Sequence, residues 1–320
     1  MGKVYEKMTI AEMEPGNNVE GYFVLQRGNV KTSNNGKDYL ACRLSDRNGE
    51  IEGKMWDYVS DIHENVGAVV KIRGVVQEYN GNRQLIIERI RKAQEGDPYD
   101  LKDLVPSAPI NIPVVLGEIE RLLKTLNDDT YRSIALGAFE RMKEDLKTIP
   151  AAISVHHAFL GGLLMHTYNI MQMCLAAGQV YGSDIINMDL LLTGAFCHDM
   201  GKRKEFLRSE LGLVTEYSVL GQLMGHLVMG AQEIAEIAQE LNIPVNSEPV
   251  ILLQHMLLSH HGELEFGSPV VPKIIEAEIL SRLDMLDARV ESYREVIEDT
   301  EIGNVSDYIK NLGHSIFNHS

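Results

Sequence analysis

The residues able to do chemistry in this chain of 320 amino acids gather in its second part. Histidines occur in HHAFLGGLLMHTYNI (His156, His157, His166), FCHDMGK (His198, followed by Asp199), LMGHLVMG (His226) and LLQHMLLSHHGE (His255, His260, His261). The run ILSRLDMLDARV adds Asp284 and Asp287. Each group lies in, or at the end of, an apolar stretch with helical spacing. A single histidine on an apolar face is usually a satisfied core residue. Five such groups are harder to explain that way, because each buried polar side chain without a partner costs about 1–3 kcal/mol. Convergence on a metal satisfies them together. Imidazole and carboxylate without thiolate suit Mn, Fe, Co, Ni or Zn rather than a closed structural zinc cluster. The adjacent His-Asp pair has a further use: the histidine fixes one ion while the carboxylate bridges to a second. Two ions about 3.5–4 Å apart can activate a water and hold the oxygens of an in-line phosphoryl displacement. The bland alternative is an all-α interaction module with core histidines and no metal.

The segments that must position these groups read as helices. Beyond the Pro- and Asp-rich stretch 96–112, which reads as a linker, the apolar residues keep a helical period to the C-terminus. No β-rich run, repeat or low-complexity tract interrupts it, so 113–320 is expected to be all-α. Residues 1–95 differ. The runs GYFVLQRGNVKTS, YLACRLSD, IEGKMWDYV, AVVKIRGVVQEY and QLIIERIRKA are separated by NNGKD, RNGE, the short helical candidate SDIHENVG and NGNR. Asn-Gly turns between β-branched runs signal hairpins. Five strands with a helix between the third and fourth match an OB-fold barrel. The expected fold is therefore multidomain: an all-β OB-fold barrel followed by an all-α domain.

Such a barrel binds single-stranded nucleic acid through aromatic and basic residues on one face. The best candidates are Arg27, Lys31, Tyr39, Lys54, Trp56 and Tyr58, with Lys54, Trp56 and Tyr58 expected to share one strand face. Tyr22, Phe23 and Tyr79 complete the aromatic set, and any of these rings could instead fill the barrel interior. Residues 1–95 carry 14 basic and 14 acidic side chains, a net of zero, so the whole net charge of −16 lies in the remainder. A polyanion is not drawn to the second part by its mean field. Metal ions or a separate binding module must offset the repulsion, and a neutral module predicts weak, salt-sensitive binding.

Cys42, Cys174 and Cys197 form no CxxC pair, Cys174 and Cys197 read as small core residues, and the usage suggests a reducing cytoplasm. The N-terminal residues have no apolar signal core, and no apolar run reaches membrane-spanning length, so a cytoplasmic protein without a membrane partner is expected.

The order His … His-Asp … His … His-His … Asp, with Gly-Lys directly after His-Asp-Met, resembles the HD-domain metal phosphohydrolases over about residues 111–320. With the OB-like segment ahead of them, HHAFLGGLLMHT, HDMGK, GHLVMG and LSHHGELEFGSP look like the YhaM-type 3′→5′ exoribonucleases over nearly the whole chain. The resemblance implies two divalent ions, Mn before Co, Fe, Ni or Zn. His166, His198, Asp199 and Asp284 would hold one, and Asp199 would bridge to a second held by His226, His260 and His261. Asp287, one turn after Asp284, is its rival. Lys202 would neutralise a phosphate oxygen in the transition state, or else snorkel at a helix C-terminus. His157 would contact the substrate or support a ligand, and His255 would be supporting or core. The implied reaction is stepwise hydrolysis of single-stranded RNA, with single-stranded DNA a further substrate, to nucleoside 5′-monophosphates. The Gly-Tyr-Pro triplet of cyclic-dinucleotide HD enzymes is absent, so that specificity does not carry over. The rivals are an HD nucleotidase or deoxynucleotide triphosphohydrolase acting on small nucleotides, and a nucleic-acid-binding protein with an inactive HD domain. The C-terminal stretch from residue 288 has helical spacing and could pack against a second copy as a homo-oligomer, or lie solvated.

Overall fold

A computed structural model of the chain describes residues 3–33, 35–105, 107–151, 159–182, 184–208 and 214–319. The chain divides into two compact units, one of Met1–Ser107 with Arg208–Thr215 and the other of Ala108–Leu207 with Glu216–Ser320.

The first unit is a closed five-stranded barrel in the order β1-β2-β3-β5-β4, with β4 pairing back to β1. Its strands are β1 (Asn18–Thr32), β2 (Asp38–Asp46), β3 (Gly49–Trp56), β4 (Val69–Tyr79) and β5 (Asn82–Lys92). The length of β1 closes the barrel. Its first half pairs with β4 (Asn18↔Val75 to Val24↔Val69) and its second half with β2 (Leu25↔Leu44 to Thr32↔Asp38). A register shift between Leu25 and Arg27 marks the corner. Asn80 and Gly81, both with positive φ, make the two-residue turn between the paired Tyr79 and Asn82, as an Asn-Gly hairpin requires. Inward residues such as Leu25, Leu40, Leu44, Ile72, Val76 and Leu85 are fully buried. This is the expected OB-fold barrel. The helix between β3 and β4 is reduced to one 3₁₀ turn, Ile62–Glu64. Within the stretch read as a linker, α1 (Leu101–Leu104) forms a single turn capped by the Asp100 side chain.

The second unit is helical, built from α2 (Ile112–Lys124), α3 (Asp129–Met142), α4 (Gly162–Tyr181), α5 (Met188–Cys197), α6 (Lys202–Glu205), α7 (Val219–Glu240), α8 (Glu248–Ser259) and α9 (Ile275–Asp299). Side-chain caps start several of them: Asp128 for α3, Asn187 for α5 and Ser218 for α7. From Leu190 to Cys197 every residue of α5 is buried. A helix apolar all round belongs inside a bundle, and α5 packs against α3, α4, α8 and α9.

Two details depart from the sequence reading. Phe206–Arg208 (β6) and Val214–Tyr217 (β7) pair as a two-stranded sheet, too short to stand out as β-rich runs. The helical period ends at Asp299, where Thr300 turns extended and Gly303 takes a positive φ. Beyond it, isolated bridges join Val305 to Phe317 and Ile309 to His314. Among the described residues no helix is long and apolar enough to cross a membrane. All three cysteines are buried and free, and burial pushes the Cys42 and Cys174 thiols up to about 12.

Candidate functional site

Helix α5 is the axle of the site. It delivers His198 at its C-terminal end and Asp199 next to it, both buried. The His198 Nδ1 donates to the Ala195 carbonyl at 2.8 Å, which turns Nε2 inward. His260, at the end of α8, repeats the device with Leu257 O at 2.8 Å. His261 Nδ1 donates to Phe266 O at 2.9 Å. His166 comes from the second turn of α4, with Nε2 3.1 Å from Asp284 Oδ1 and Nδ1 2.7 Å from Asp287 Oδ2. Both aspartates lie on α9, and the two ring nitrogens tell them apart: Asp284 faces the inward nitrogen and Asp287 the outward one. His226 follows Gly225, whose φ of 70° and ψ of 159° break α7 and re-aim the chain.

These side chains meet around Asp199. Its Oδ2 lies 3.3 Å from His198 Nε2, 3.7 Å from His166 Nε2 and 2.7 Å from Lys202 Nζ. Its Oδ1 lies 3.5 Å from His226 Nε2 and 3.6 Å from His260 Nε2. The two carboxylate oxygens thus look at two sets of imidazoles. Three groups each bring ligand atoms within 4.8 Å of one another: His166 with His198 and Asp284, His198 with Asp199 and His260, and His226 with His260 and His261.

The donor set fits divalent ions. Among the described residues, Asp199 Oδ1, His226 Nε2 and His260 Nε2 are buried and reach no hydrogen-bond partner. Leaving three such atoms unsatisfied is costly, and their separations exceed hydrogen-bond length. Nitrogen and oxygen ligands about 2.0–2.2 Å from a shared ion stand roughly 3–3.5 Å apart, close to the spacing here. Among the described residues no thiolate faces the cluster.

The electrostatics agree. Burial opposes ionisation of Asp199, but Lys202 and then His198 hold its carboxyl well below the usual range. Burial likewise opposes ionisation of Asp284, and its hydrogen bond to His166 holds it low. Burial disfavours a charged His166, yet Asp284 and Asp287 raise its pKa to about 9. Burial lowers His260, and burial followed by the charge of His260 lowers His261. Burial works against a charged Lys202 as well, and Asp199 outweighs it, so the ammonium persists.

Two sequence candidates remain, and of these only His255 is described, apart from the cluster. His157 lies outside the described residues. His255 Nε2 accepts from the Lys273 backbone at 2.9 Å, which ties down the segment after α8. Gly201, in HDMGK, has a packing reason: a Cβ there would sit 2.2 Å from the His226 carbonyl oxygen. Glu205 was not singled out in the sequence, because at the end of KRKE it reads as a solvated charge. Its side chain accepts from His226.

In the barrel, β1, β2 and β3 place Lys31 beside Tyr39, and Tyr39 beside Trp56. The two rings are 5.0 Å apart, and Lys54 Nζ lies 5.9 Å from the Trp56 ring and 5.0 Å from that of Tyr79. Trp56 and Tyr79 are 50% and 60% exposed, available for stacking. Arg27 pairs with Arg43 on the same two strands. Tyr58 does not share this face. β3 ends at Trp56, Asp57 takes a positive φ, and the Tyr58 ring turns into the barrel core, where its hydroxyl accepts from the His63 backbone at 3.0 Å. Phe23 and Tyr22 are buried as well.

Residues 163–289 match the HD domain family, and residues 24–93 match the OB-fold nucleic acid binding domain family. The chain is 33% identical over 310 residues to a Listeria welshimeri protein named 3′-5′ exoribonuclease YhaM, covering 96% of this chain and 97% of that one. Proteins of the same name from Listeria innocua and Listeria monocytogenes are 33% identical over 311 residues, with the same coverage. Both domains match in order and the likeness runs end to end: the chain belongs to the YhaM family of 3′-5′ exoribonucleases.

Proposed function

We propose that this chain is a divalent-metal-dependent 3′→5′ exoribonuclease that releases nucleoside 5′-monophosphates from single-stranded RNA. Single-stranded DNA would use the same stacking contacts. The observation that carries this reading is the placement of Asp199, whose two oxygens face two separate imidazole sets. In that arrangement Asp199 would contribute an oxygen to each of two ion positions. His166, His198 and Asp284 would complete one, and His226, His260 and His261 the other. Imidazole and carboxylate without thiolate admit Mn, Co, Fe, Ni or Zn, and the family resemblance puts Mn first. When bound, such ions supply Lewis acidity, activating a water and sharing the charge of the phosphoryl oxygens.

The protein's own groups do the rest. Backbone carbonyls lock the His198, His260 and His261 rings, so the site needs little rearrangement. Lys202 is held protonated against Asp199, and its side chain keeps 15% exposure. Nζ can therefore reach a phosphoryl oxygen as negative charge grows there. The barrel offers Tyr39 and Trp56 for base stacking and Arg27, Lys31 and Lys54 for phosphates, a sequence-tolerant combination. A separate capture module of this kind also meets the charge problem, since the rest of the chain is acidic. Three buried, unpaired thiols suit a reducing cytoplasm.

The reaction is tested by the first product from a 3′-terminally labelled single-stranded RNA incubated with Mn²⁺. A labelled nucleoside 5′-monophosphate is expected. A labelled nucleoside without phosphate, or a labelled oligonucleotide, would rule the proposed reaction out.

A further inference from the structure

We infer that Glu205 is the positioning residue for His226, seating one imidazole of the metal centre from the side away from Asp199. This rests on the metal-site reading above and adds to it a residue that is neither a ligand nor in contact with substrate.

The geometry is specific. Glu205 is buried, and its Oε1 accepts from the His226 backbone N–H at 3.0 Å and lies 3.1 Å from His226 Nδ1. Its Oε2 lies 3.0 Å from the same Nδ1. One carboxylate thus grips both the backbone and the ring of one residue. The grip exists because Gly225 breaks the helical ladder of α7, which leaves the next N–H to be satisfied from outside the helix. Glu205 satisfies it much as a capping side chain would. With Nδ1 turned to the carboxylate, Nε2 is the nitrogen that points at Asp199 Oδ1, 3.5 Å away.

The surroundings are shaped to bring Glu205 there. Helix α6 is a single turn directly after the His-Asp-Met-Gly segment, with Glu205 N–H bonded to the Gly201 carbonyl at 3.1 Å. Arg203 pairs with the fully buried Glu233 of α7, and Ser218 Oγ donates to Lys204 O at 2.8 Å. Two glycines permit the close approach. A Cβ on Gly201 would meet the His226 carbonyl at 2.2 Å, and one on Gly221 would meet the Glu205 carbonyl at 2.4 Å. The other inward histidines of the cluster are seated differently: His198 and His260 by backbone carbonyls, His166 by Asp287. Among the described residues, Glu205 and Asp287 thus serve as carboxylate partners to His226 and His166. A carboxylate behind a metal-binding imidazole fixes its tautomer and raises its basicity, and losing one typically costs 10–100-fold in metal affinity or activity.

The test compares wild type, Glu205→Ala and Glu205→Gln in the full chain. Mn²⁺ binding is measured by titration calorimetry, and the Mn²⁺ concentration for half-maximal RNA cleavage is measured beside it. Glu205→Ala is expected to weaken Mn²⁺ binding by about 10–100-fold. Its cleavage rate should recover within a few-fold of wild type at saturating Mn²⁺, which a collapsed fold would not allow. Glu205→Gln keeps an acceptor oxygen and should recover part of the affinity. If Glu205→Ala does not fold, Glu205→Asp decides, since its shortened carboxylate cannot reach His226 and should bind Mn²⁺ more weakly. Wild-type Mn²⁺ affinity in a folded Glu205→Ala or Glu205→Asp would overturn the inference. A wild-type protein that binds no Mn²⁺ would overturn the metal-site reading instead.

Discussion

Asp287 Oδ2 lies 2.7 Å from His166 Nδ1, on the ring edge opposite the nitrogen that faces the centre of the site. Asp284, one helical turn earlier, faces that inner nitrogen at 3.1 Å. Two aspartates on one helix therefore do different work, and substitution should separate them. Asp284→Ala is expected to abolish Mn²⁺-dependent cleavage at any Mn²⁺ concentration. Asp287→Ala should raise the half-activating Mn²⁺ concentration about 10–100-fold and be rescued by excess metal. Mn²⁺ titrations of the cleavage rate distinguish the two, and the reverse pattern would exchange their roles.

Lys202 Nζ lies 2.7 Å from Asp199 Oδ2, where it competes for an oxygen that an ion would use. If it stabilises transition-state charge, Lys202→Met should lower single-turnover cleavage about 10²–10³-fold. Mn²⁺ affinity should hold or improve, because the competing charge is gone. Near-wild-type cleavage with a lowered melting temperature would instead mark Lys202 as a structural partner of Asp199.

On the barrel, Trp56→Ala and Tyr39→Ala should each weaken single-stranded RNA binding, by about 1–3 kcal/mol for each base that loses its stacking platform. Hydrolysis of a small phosphodiester such as thymidine 5′-monophosphate p-nitrophenyl ester should be unchanged. Tyr58→Phe removes a core hydroxyl that accepts from the His63 backbone. It should cost about 1 kcal/mol of stability and leave RNA affinity alone. Filter binding and thermal melting check the set, and an RNA-binding defect in Tyr58→Phe would return that residue to the binding face.

Metal affinity should depend on pH through His166. Its pKa is raised from the ordinary 6.5 to about 9, since Asp284 and Asp287 outweigh the effect of burial. At neutral pH the metal-free ring is therefore charged, and an ion on Nε2 must displace a proton. Mn²⁺ affinity should rise as pH climbs from 6.5 toward 9, with about one proton released per protein at pH 7. Without metal the sign reverses. The stability that a raised histidine pKa contributes is present below 6.5 and is lost as pH rises through about 9. Calorimetry in buffers of different ionisation enthalpy measures the proton, and a binding heat independent of buffer would contradict its release.

Much of this is legible in the amino-acid sequence. The Asn80-Gly81 turn marks the hairpin between β4 and β5, because few other residues accept two successive positive φ angles. The apolar run ahead of His198 reads as a helix, and its burial on all sides is seen only in the packed bundle. Other features were hidden for physical reasons. Asp284 and Asp287 share a helical face, so only the ring nitrogen each one meets separates them. Tyr58 continues the period-2 pattern of β3, and the turn at Asp57 that ends the strand leaves no signal in residue type. His226 depends on the break at Gly225, which a tolerated helical glycine would spell identically. Glu205 sits among charged residues of one short turn, and nothing local says that it faces inward.

The most direct test of the metal centre is a time course on 5′-labelled single-stranded RNA with Mn²⁺, wild type beside Asp199→Ala, both verified as folded by circular dichroism. A ladder shortening from the 3′ end in wild type, with intact RNA beside Asp199→Ala, is the expected result. Equal trimming by the two proteins, or intact RNA in both, would contradict the assignment of Asp199 as the carboxylate at the centre of a metal-dependent exonuclease.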